Sequence, residues 1–425
     1  MTAAVQAPVD LLNHQLKSLD IQQIDRYNGA YGDLNNDLYG KATKAYKKEN
    51  VTEDEKQRRI FATSYEPSEE WWATNQKEYK KPEHDPLPEG FPEKVVSPTV
   101  WDGKVLINEP KKWTYNFTTE DINVLNAAYD HFVSLKVSND SISRETFPIP
   151  ADSGLFKQLQ ETDKEIKSGL GFRVLRGLPV DDWERIKQIV IFAGISSYVG
   201  GRRIKQGPKN IVHLRDITQL EADKRPAIVV KGQTSGNQVY HNDGSTGIVG
   251  LLTLGRAETG GLSQLASVGH TYNELAATRR DIVRELAKDD WKNKIFPDGK
   301  ALIFPIDGDQ IVSSYSRRPF FGFFEADADV PPLPTEKHLA LDAIHFTAAK
   351  SGLDIELRKG DLEYLNNVLV FHARDASEDS EENARHLIRI HLENLEQPLP
   401  AHLREAFNTL NAGEAHDWPL EAWDE

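Results

Sequence analysis

The chain has 425 residues, a formal net charge of −15, 39% hydrophobic residues and no cysteine. The acid excess disfavours nucleic acid and membrane surfaces as partners, and the lack of thiols excludes disulfides, thiolate nucleophiles, iron–sulfur clusters and cysteine zinc sites. No apolar run reaches the roughly 18 residues a membrane span needs, and Met1 to Asp10 carry neither a basic start nor an apolar signal core, so a cytoplasmic location is the expectation.

Residues 1–115 differ from the rest. Lys, Glu, Asp and Tyr are dense from Lys41 to Asp85, and Pro82, Pro86, Pro88, Pro92, Pro98 and Pro110 follow. Proline blocks helix and sheet interiors, so this part reads as helical pieces and then an extended segment wrapping the body of the protein. Its Trp71-Trp72 pair reads as an anchor onto the core. The expected organisation is an N-terminal extension over 1–115, serving packing or a homodimer contact, and one main domain over 116–425.

Thr119 opens a helix, with Ile122, Leu125, Tyr129, Phe132 and Leu135 on one face and Glu120 and Asp121 in its first turn. A strand follows over 171–177 and a helix over 181–198. The pattern then turns to short strands over 228–231, 238–241 and 247–254, interrupted by a helix over 271–287. Strands resume over 301–305 and 310–315. A further helix spans 335–350, and the last strands cover 355–358, 362–364, 368–372 and 386–392. Many short strands with inserted helices predict a mixed, mainly β core: a double-stranded β-helix, or jelly roll, with flanking and inserted helices.

Chemistry-bearing residues recur in a fixed order. Tyr240-His241-Asn242-Asp243 runs from a strand into a glycine-bearing loop. His372 ends a later apolar strand, Arg385 comes thirteen positions on, and Arg389 four after that. Two imidazoles and one carboxylate bind a divalent metal on one face and leave the opposite face open, and a nearby guanidinium can hold a dicarboxylate. Each piece alone is bland. His-x-Asp triplets arise by chance, a histidine ending an apolar strand is ordinarily structural, and the two arginines would ordinarily pair with surface acids. The ordered set is what points to a non-haem iron oxygenase. His391-Leu392-Glu393 is a rival triplet, but His391 sits inside a continuous apolar strand and reads as a hydrogen-bonded partner rather than a ligand.

Over roughly residues 165–395 the chain resembles the TauD/TfdA branch of the Fe(II)/2-oxoglutarate oxygenases. The resemblance rests on Gly171-Phe172-Arg173-Val174-Leu175-Arg176-Gly177; the His241-x-Asp243 pair; Thr259-Gly260-Gly261-Leu262-Ser263 with Tyr272-Asn273-Glu274-Leu275; the run from Gly360-Asp361 to His372; and Arg385-His386-Leu387-Ile388-Arg389. It implies that His241, Asp243 and His372 bind Fe(II), and that 2-oxoglutarate pairs through its far carboxylate with Arg385. Ser263, standing where the family has threonine, would help through its hydroxyl. O₂ would be the co-reactant, and Arg389 would meet an anionic group of the substrate. The segment Ser314-Tyr315-Ser316-Arg317-Arg318-Pro319 departs from the family's usual pattern and resembles fungal members, as does the long N-terminal extension. Ala343-Ile344-His345-Phe346 lies on the helix over 335–350. There, Ile344 and Phe346 either pack in the core or form a lid over an apolar pocket. Together these features resemble secondary-metabolism oxygenases of free aliphatic amino acids such as valine or isoleucine, which hydroxylate them or close them to an aziridine. Another small organic acid or a sulfonate is the alternative substrate. A metal-binding cupin-like protein or a non-redox metalloenzyme would use the metal ligands but not Arg385 and Ser263.

Overall fold

The structure is a computed structural model describing residues 67–423 apart from 219–230, 245, 294–295, 297, 307–308, 322–332, 395–398 and 411–414. The helical pieces expected before residue 67 and most of the strand expected over 228–231 lie outside the described residues.

The strands, in chain order, are β1 (Thr114–Asn116), β2 (Phe172–Arg176), β3 (Arg203–Ile204), β4 (Ile211–Arg215), β5 (Gln238–His241), β6 (Ile248–Gly255), β7 (Thr259–Gly260), β8 (Ser263–Ser267), β9 (Ile303–Ile306), β10 (Gln310–Ser313), β11 (Leu353–Ile355), β12 (Leu362–Asn366), β13 (Val370–Arg374), β14 (Ser377–Glu378) and β15 (His386–Leu392). The longer helices are α1 (Glu69–Glu78), α2 (Thr119–Ser134), α3 (Gly154–Ser168), α4 (Arg185–Ser196), α5 (Val268–Thr278), α6 (Arg280–Leu286), α7 (Thr335–Lys350) and α8 (Ala401–Leu410).

Two sheets form the jelly roll. The larger runs β1-β2-β12-β6-β15, with β3 and β4 both pairing with β15; the smaller runs β11-β8-β13-β5. Strand alternation decides which side chain goes where. Phe172, Val174, Val249 and Leu365 from the large sheet meet Leu265, Leu353, Ile355 and Val370 from the small one, and this is the inner core. The opposite faces are also apolar. Leu175, Leu252, Tyr364, Ile388 and Ile390 pack under α2, α3 and α4, while Ala266, Phe371 and Tyr240 pack under α5, α6 and α7. Both sheets are therefore covered on their outer sides, and polar residues on the inner faces have only the space between the sheets to occupy. Each fully buried aliphatic or aromatic side chain contributes about 1.5–3 kcal/mol by leaving water.

Local signals set the helix ends. Thr118 and Asp121 form a reciprocal capping box at the start of α2. The helix expected over 271–287 is two helices, because Arg279 leaves helical geometry (φ −143°). Its side chain turns inward, where Asp281 and Asn75 accept its hydrogen bonds and the Tyr79 ring lies 4.0 Å away. Part of the proline-rich segment contacts the inserted helices α5 and α6. Val95 exchanges hydrogen bonds with the Asn273 side chain at 2.7 and 2.9 Å, and Arg284 pairs with Asp85 at 2.7 Å. Trp72 packs on this side as well, stacked on Phe346. Among the described residues no helix is long and apolar enough to cross a membrane.

Candidate metal and dicarboxylate site

His241 ends β5 and His372 lies in β13, and the two are register partners across that antiparallel pair. Pairing sets their rings side by side, with centroids 4.1 Å apart. Asp243 is already beyond the strand. Its approach comes from a turn rather than from pleat alternation, and the turn is tied down at several points. The Asn242 side chain donates to Asn367 O at 2.6 Å and accepts from Tyr315 N at 2.9 Å. The Asn367 side chain accepts from Asp243 N at 2.8 Å and donates to Asp243 O at 2.7 Å and Thr246 O at 2.9 Å. One Asp243 oxygen, Oδ1, then lies 3.6 Å from His241 Nε2 and 3.9 Å from His372 Nε2. Candidate ligand atoms of all three residues lie within 4.8 Å of one another, a spacing that one metal ion could bridge.

The protonation states suit a cation. His241 Nδ1 lies 2.8 Å from Val239 O, which fixes its proton there and leaves Nε2 free to ligate. Burial, with the neighbouring His241 ring, brings His372 down to about 3, so its imidazole is neutral. Burial alone would raise Asp243, but the Arg389 charge, with the hydrogen bond from His391, outweighs it and holds the carboxyl well below its ordinary value. Arg389 donates to Asp243 Oδ2 at 3.0 Å, and His391 Nε2 lies 3.0 Å from the same oxygen. His391 is thus a partner of the carboxylate, as its place in the strand implies. Arg389, expected to meet a substrate anion, is bonded instead to Asp243 and to Gln206 Oε1 at 2.7 Å.

These groups open onto a cavity of about 250 Å³ between the sheets, which also takes in Ser263, Glu363, Arg385 and Leu387. Arg385 precedes β15 and is 9% exposed. Among the described residues its guanidinium makes no hydrogen bond or ion pair. Burial, then the nearby Arg374 charge, push its pKa well down. A guanidinium stays charged at any working pH, so the cavity wall carries a buried positive charge here. Gly261, at φ +72°, lets the chain turn tightly here, where an added Cβ would lie 3.3 Å from Arg385 Cδ. The Ser263 hydroxyl donates to Glu363 Oε2 at 2.8 Å.

Ile344 and Phe346 do not line this cavity. Ile344 is 1% exposed inside the helical core, because α7 is packed between α5, α6 and the back of β5. Phe346 faces Trp72 of α1. Core packing, not a lid, is what this arrangement gives them. Arg317, in the segment that departs from the family pattern, is buried and paired with Asp342 of α7. Asn242, Asn367, Gln206 and Glu363 are the members of the site that the sequence reading missed. For Asn367 a signal existed, since an amide three residues before the apolar strand that carries His372 invites a turn-holding role.

A jelly roll in which two imidazoles and one carboxylate converge beside a buried arginine is the layout of a mononuclear non-haem oxygenase. Residues 135–391 match the model of the taurine catabolism dioxygenase TauD, TfdA family. A taurine hydroxylase-like protein of Stachybotrys chartarum is 30% identical over 312 residues, 70% of this chain and 79% of its own. The chain belongs to the TauD, TfdA family of dioxygenases. Two solved structures of asparagine oxygenase share the fold. One, in complex with Fe(II), (2S,3S)-3-hydroxyasparagine and succinate, superposes with a TM-score of 0.51 at 15% identity over 66% of this chain and 93% of its own. The other gives 0.51 at 14% identity over 67% and 93%.

Proposed function

We propose that the protein is an Fe(II)/2-oxoglutarate-dependent oxygenase that removes hydrogen from an unactivated C–H bond of a small amino acid. The observation that carries this is the convergence of His241, Asp243 and His372 within 4.8 Å of one another, in the same cavity as Arg385. When bound, Fe(II), 2-oxoglutarate and O₂ supply the oxidising power, and succinate and CO₂ leave. The chain's own residues hold and exclude. His241, Asp243 and His372 would hold the iron, the two histidines through ring nitrogens and Asp243 through its carboxylate. Arg389 and His391 occupy Asp243 Oδ2, so that Oδ1 is the oxygen turned to the ligating imidazoles. Arg385 clamps the far carboxylate of the cosubstrate, a planar fork on a planar anion. Leu251 and Leu387 line the same cavity and keep water from the reacting centre.

An amino-acid substrate is supported by the asparagine oxygenase of like fold, whose complex contains a hydroxylated asparagine. A free aliphatic amino acid such as valine or isoleucine is the substrate we favour, with hydroxylation or aziridine closure as the outcome. Both begin with the same hydrogen abstraction. The domain organisation is proposed as the extension over 1–115 and the dioxygenase domain over 116–425.

Anaerobic Fe(II) and 2-oxoglutarate should give a weak visible charge-transfer band. The band should be lost in Arg385→Ala while iron is retained. No band in the parent protein would refute the assignment. A screen of succinate release against the proteinogenic amino acids then finds the substrate. A product heavier by one oxygen means hydroxylation, and one lighter by two hydrogens means ring closure or desaturation.

A further inference from the structure

Glu363 is a carboxyl group inside a cavity that the reading above gives to a dianion. It stands on β12 in a row that crosses the large sheet from Val174 through Glu363 and Leu251 to Arg389. It is fully buried and lines the cavity with Arg385. Its Oε2 accepts from Ser263 Oγ at 2.8 Å, while Oε1 is buried without a partner among the described residues.

The groups around it define its options. Arg385, before β15, and Arg176, on β2, both act on it with positive charge, and Asp361, just before β12, acts with negative charge. Arg176 is already paired with Asp361 at 2.8 Å. From β6 the cavity receives Thr253 and Leu251, and from β15 Arg389, which is held by Asp243 and Gln206. Arg374 of β13 donates to backbone carbonyls at Thr234 and Gly236. The metal ligands His241, Asp243 and His372 line the same cavity. One arginine and one carboxyl therefore share the pocket without a direct bond to each other. An ionised Glu363 offsets Arg385 while the pocket holds no anion, and it repels an incoming carboxylate. A protonated Glu363 reverses that role, because its O–H can donate to the same carboxylate. The Ser263 hydroxyl is already engaged, so its influence on the ligand passes through Glu363.

We propose that Glu363 is a cosubstrate-binding residue of the dicarboxylate site: the cosubstrate's far carboxylate binds between Arg385 and protonated Glu363, and binding takes up one proton from solvent. This rests on the reading that Arg385 holds 2-oxoglutarate. The balance is simple: the Glu363 carboxylate, one solvent proton and the dianion become a complex in which Glu363 carries an O–H, with no electron transferred. Burial, only partly opposed by the Ser263 hydrogen bond, lifts the Glu363 carboxyl to about 7, so the uptake falls in the neutral range. Below that pH the group is already protonated and affinity is level. Above it a proton must be gained with each ligand, and affinity falls about tenfold per pH unit.

The test is calorimetric titration of 2-oxoglutarate into the anaerobic, Fe(II)-loaded full chain from about pH 6 to 9, in two buffers of different ionisation enthalpy. Wild type should show a Kd that rises above neutrality and an uptake approaching one proton. Glu363→Gln keeps shape and a hydrogen-bond donor, so it should lose both the slope and the uptake and bind more tightly than wild type at pH 8 and above. Glu363→Ala should also be flat with pH, but weaker than the glutamine variant. A level wild-type profile overturns the proposal, as does a slope that persists in Glu363→Gln. Arg385→Ala separates the two readings. If wild type fails to bind at every pH, or Arg385→Ala binds as well as wild type, the assignment of the dicarboxylate site itself is wrong.

Discussion

Asn367→Ala should weaken metal binding more than its distance from the metal ligands' side chains would suggest. The Asn367 amide makes three hydrogen bonds to the turn that carries Asp243: from Asp243 N at 2.8 Å, to Asp243 O at 2.7 Å and to Thr246 O at 2.9 Å. It is 1% exposed, so water cannot easily replace what the alanine removes. Three such bonds at about 1 kcal/mol net each give a deficit of about 3 kcal/mol. Groups that orient metal ligands typically change metal affinity by about 10- to 100-fold, which is about 1.4–2.7 kcal/mol. More than a third of the deficit should therefore appear as lost metal affinity, and the remainder as lost stability of the metal-free fold. Competition of Fe(II) or Co(II) against a chromophoric chelator measures the first, and urea unfolding of the metal-free protein measures the second. A metal affinity within twofold of wild type, with the whole deficit in unfolding, would show that the turn holds Asp243 without Asn367 and would refute the reasoning.

Arg389→Gln removes the largest influence that opposes burial at Asp243, so the carboxyl should rise. Metal release on acidification, followed with the same chelator, should then begin about one pH unit higher. Arg385→Lys replaces a fork with a point charge; 2-oxoglutarate affinity should fall about tenfold or more by calorimetry, with iron affinity unchanged. Gly261→Ala puts a Cβ 3.3 Å from Arg385 Cδ at a φ of +72°. Its stability loss should be about 1 kcal/mol, the usual cost of left-handed backbone for a non-glycine residue, and its larger effect should be a raised KM for 2-oxoglutarate. Finally, burial lowers four histidines from the ordinary 6.5: His386 to about 2, His372 and His338 to about 3, and His345 to about 4. Below pH 6.5 the unfolded chain takes up protons that the fold refuses, so stability falls with acidification by up to about 1.4 kcal/mol per pH unit for each histidine. The urea midpoint of the metal-free protein should drop from pH 6.5 toward 4, the four histidines together outweighing the buried Glu363 carboxyl, which acts in the opposite sense over the same range. A flat profile from 7 to 5 would contradict the burial.

Elements with strong periodicity were legible in the chain. The helix over 335–350 and the strand over 386–392 coincide with α7 and β15. Elements made of small or polar residues were not. No strand was expected over 263–267, yet Ser263–Ser267 is a central strand of the small sheet, because β11 and β13 flank it on both sides. α3 was missed although Leu155, Leu159 and Ile166 form a buried stripe. The helix over 271–287 broke at Arg279 because the partners that draw that side chain inward, Asn75 and Tyr79, lie some 200 residues earlier in the chain.

By itself the sequence determined the kinds of chemistry available: two imidazoles, a carboxylate and an arginine in a fixed order, no thiols, and many short strands with helices inserted among them. Order and residue type are local properties, so they survive without coordinates. Only the tertiary structure decided which groups meet. It paired His241 with His372 across β5 and β13, turned Arg389 onto Asp243, buried Ile344 away from the cavity and set Glu363 beside Arg385. Those outcomes depend on strand register and on which face of each sheet is closed off. Register is fixed by contacts between residues more than a hundred positions apart, and a shift of one residue would have turned every one of these side chains to the other face.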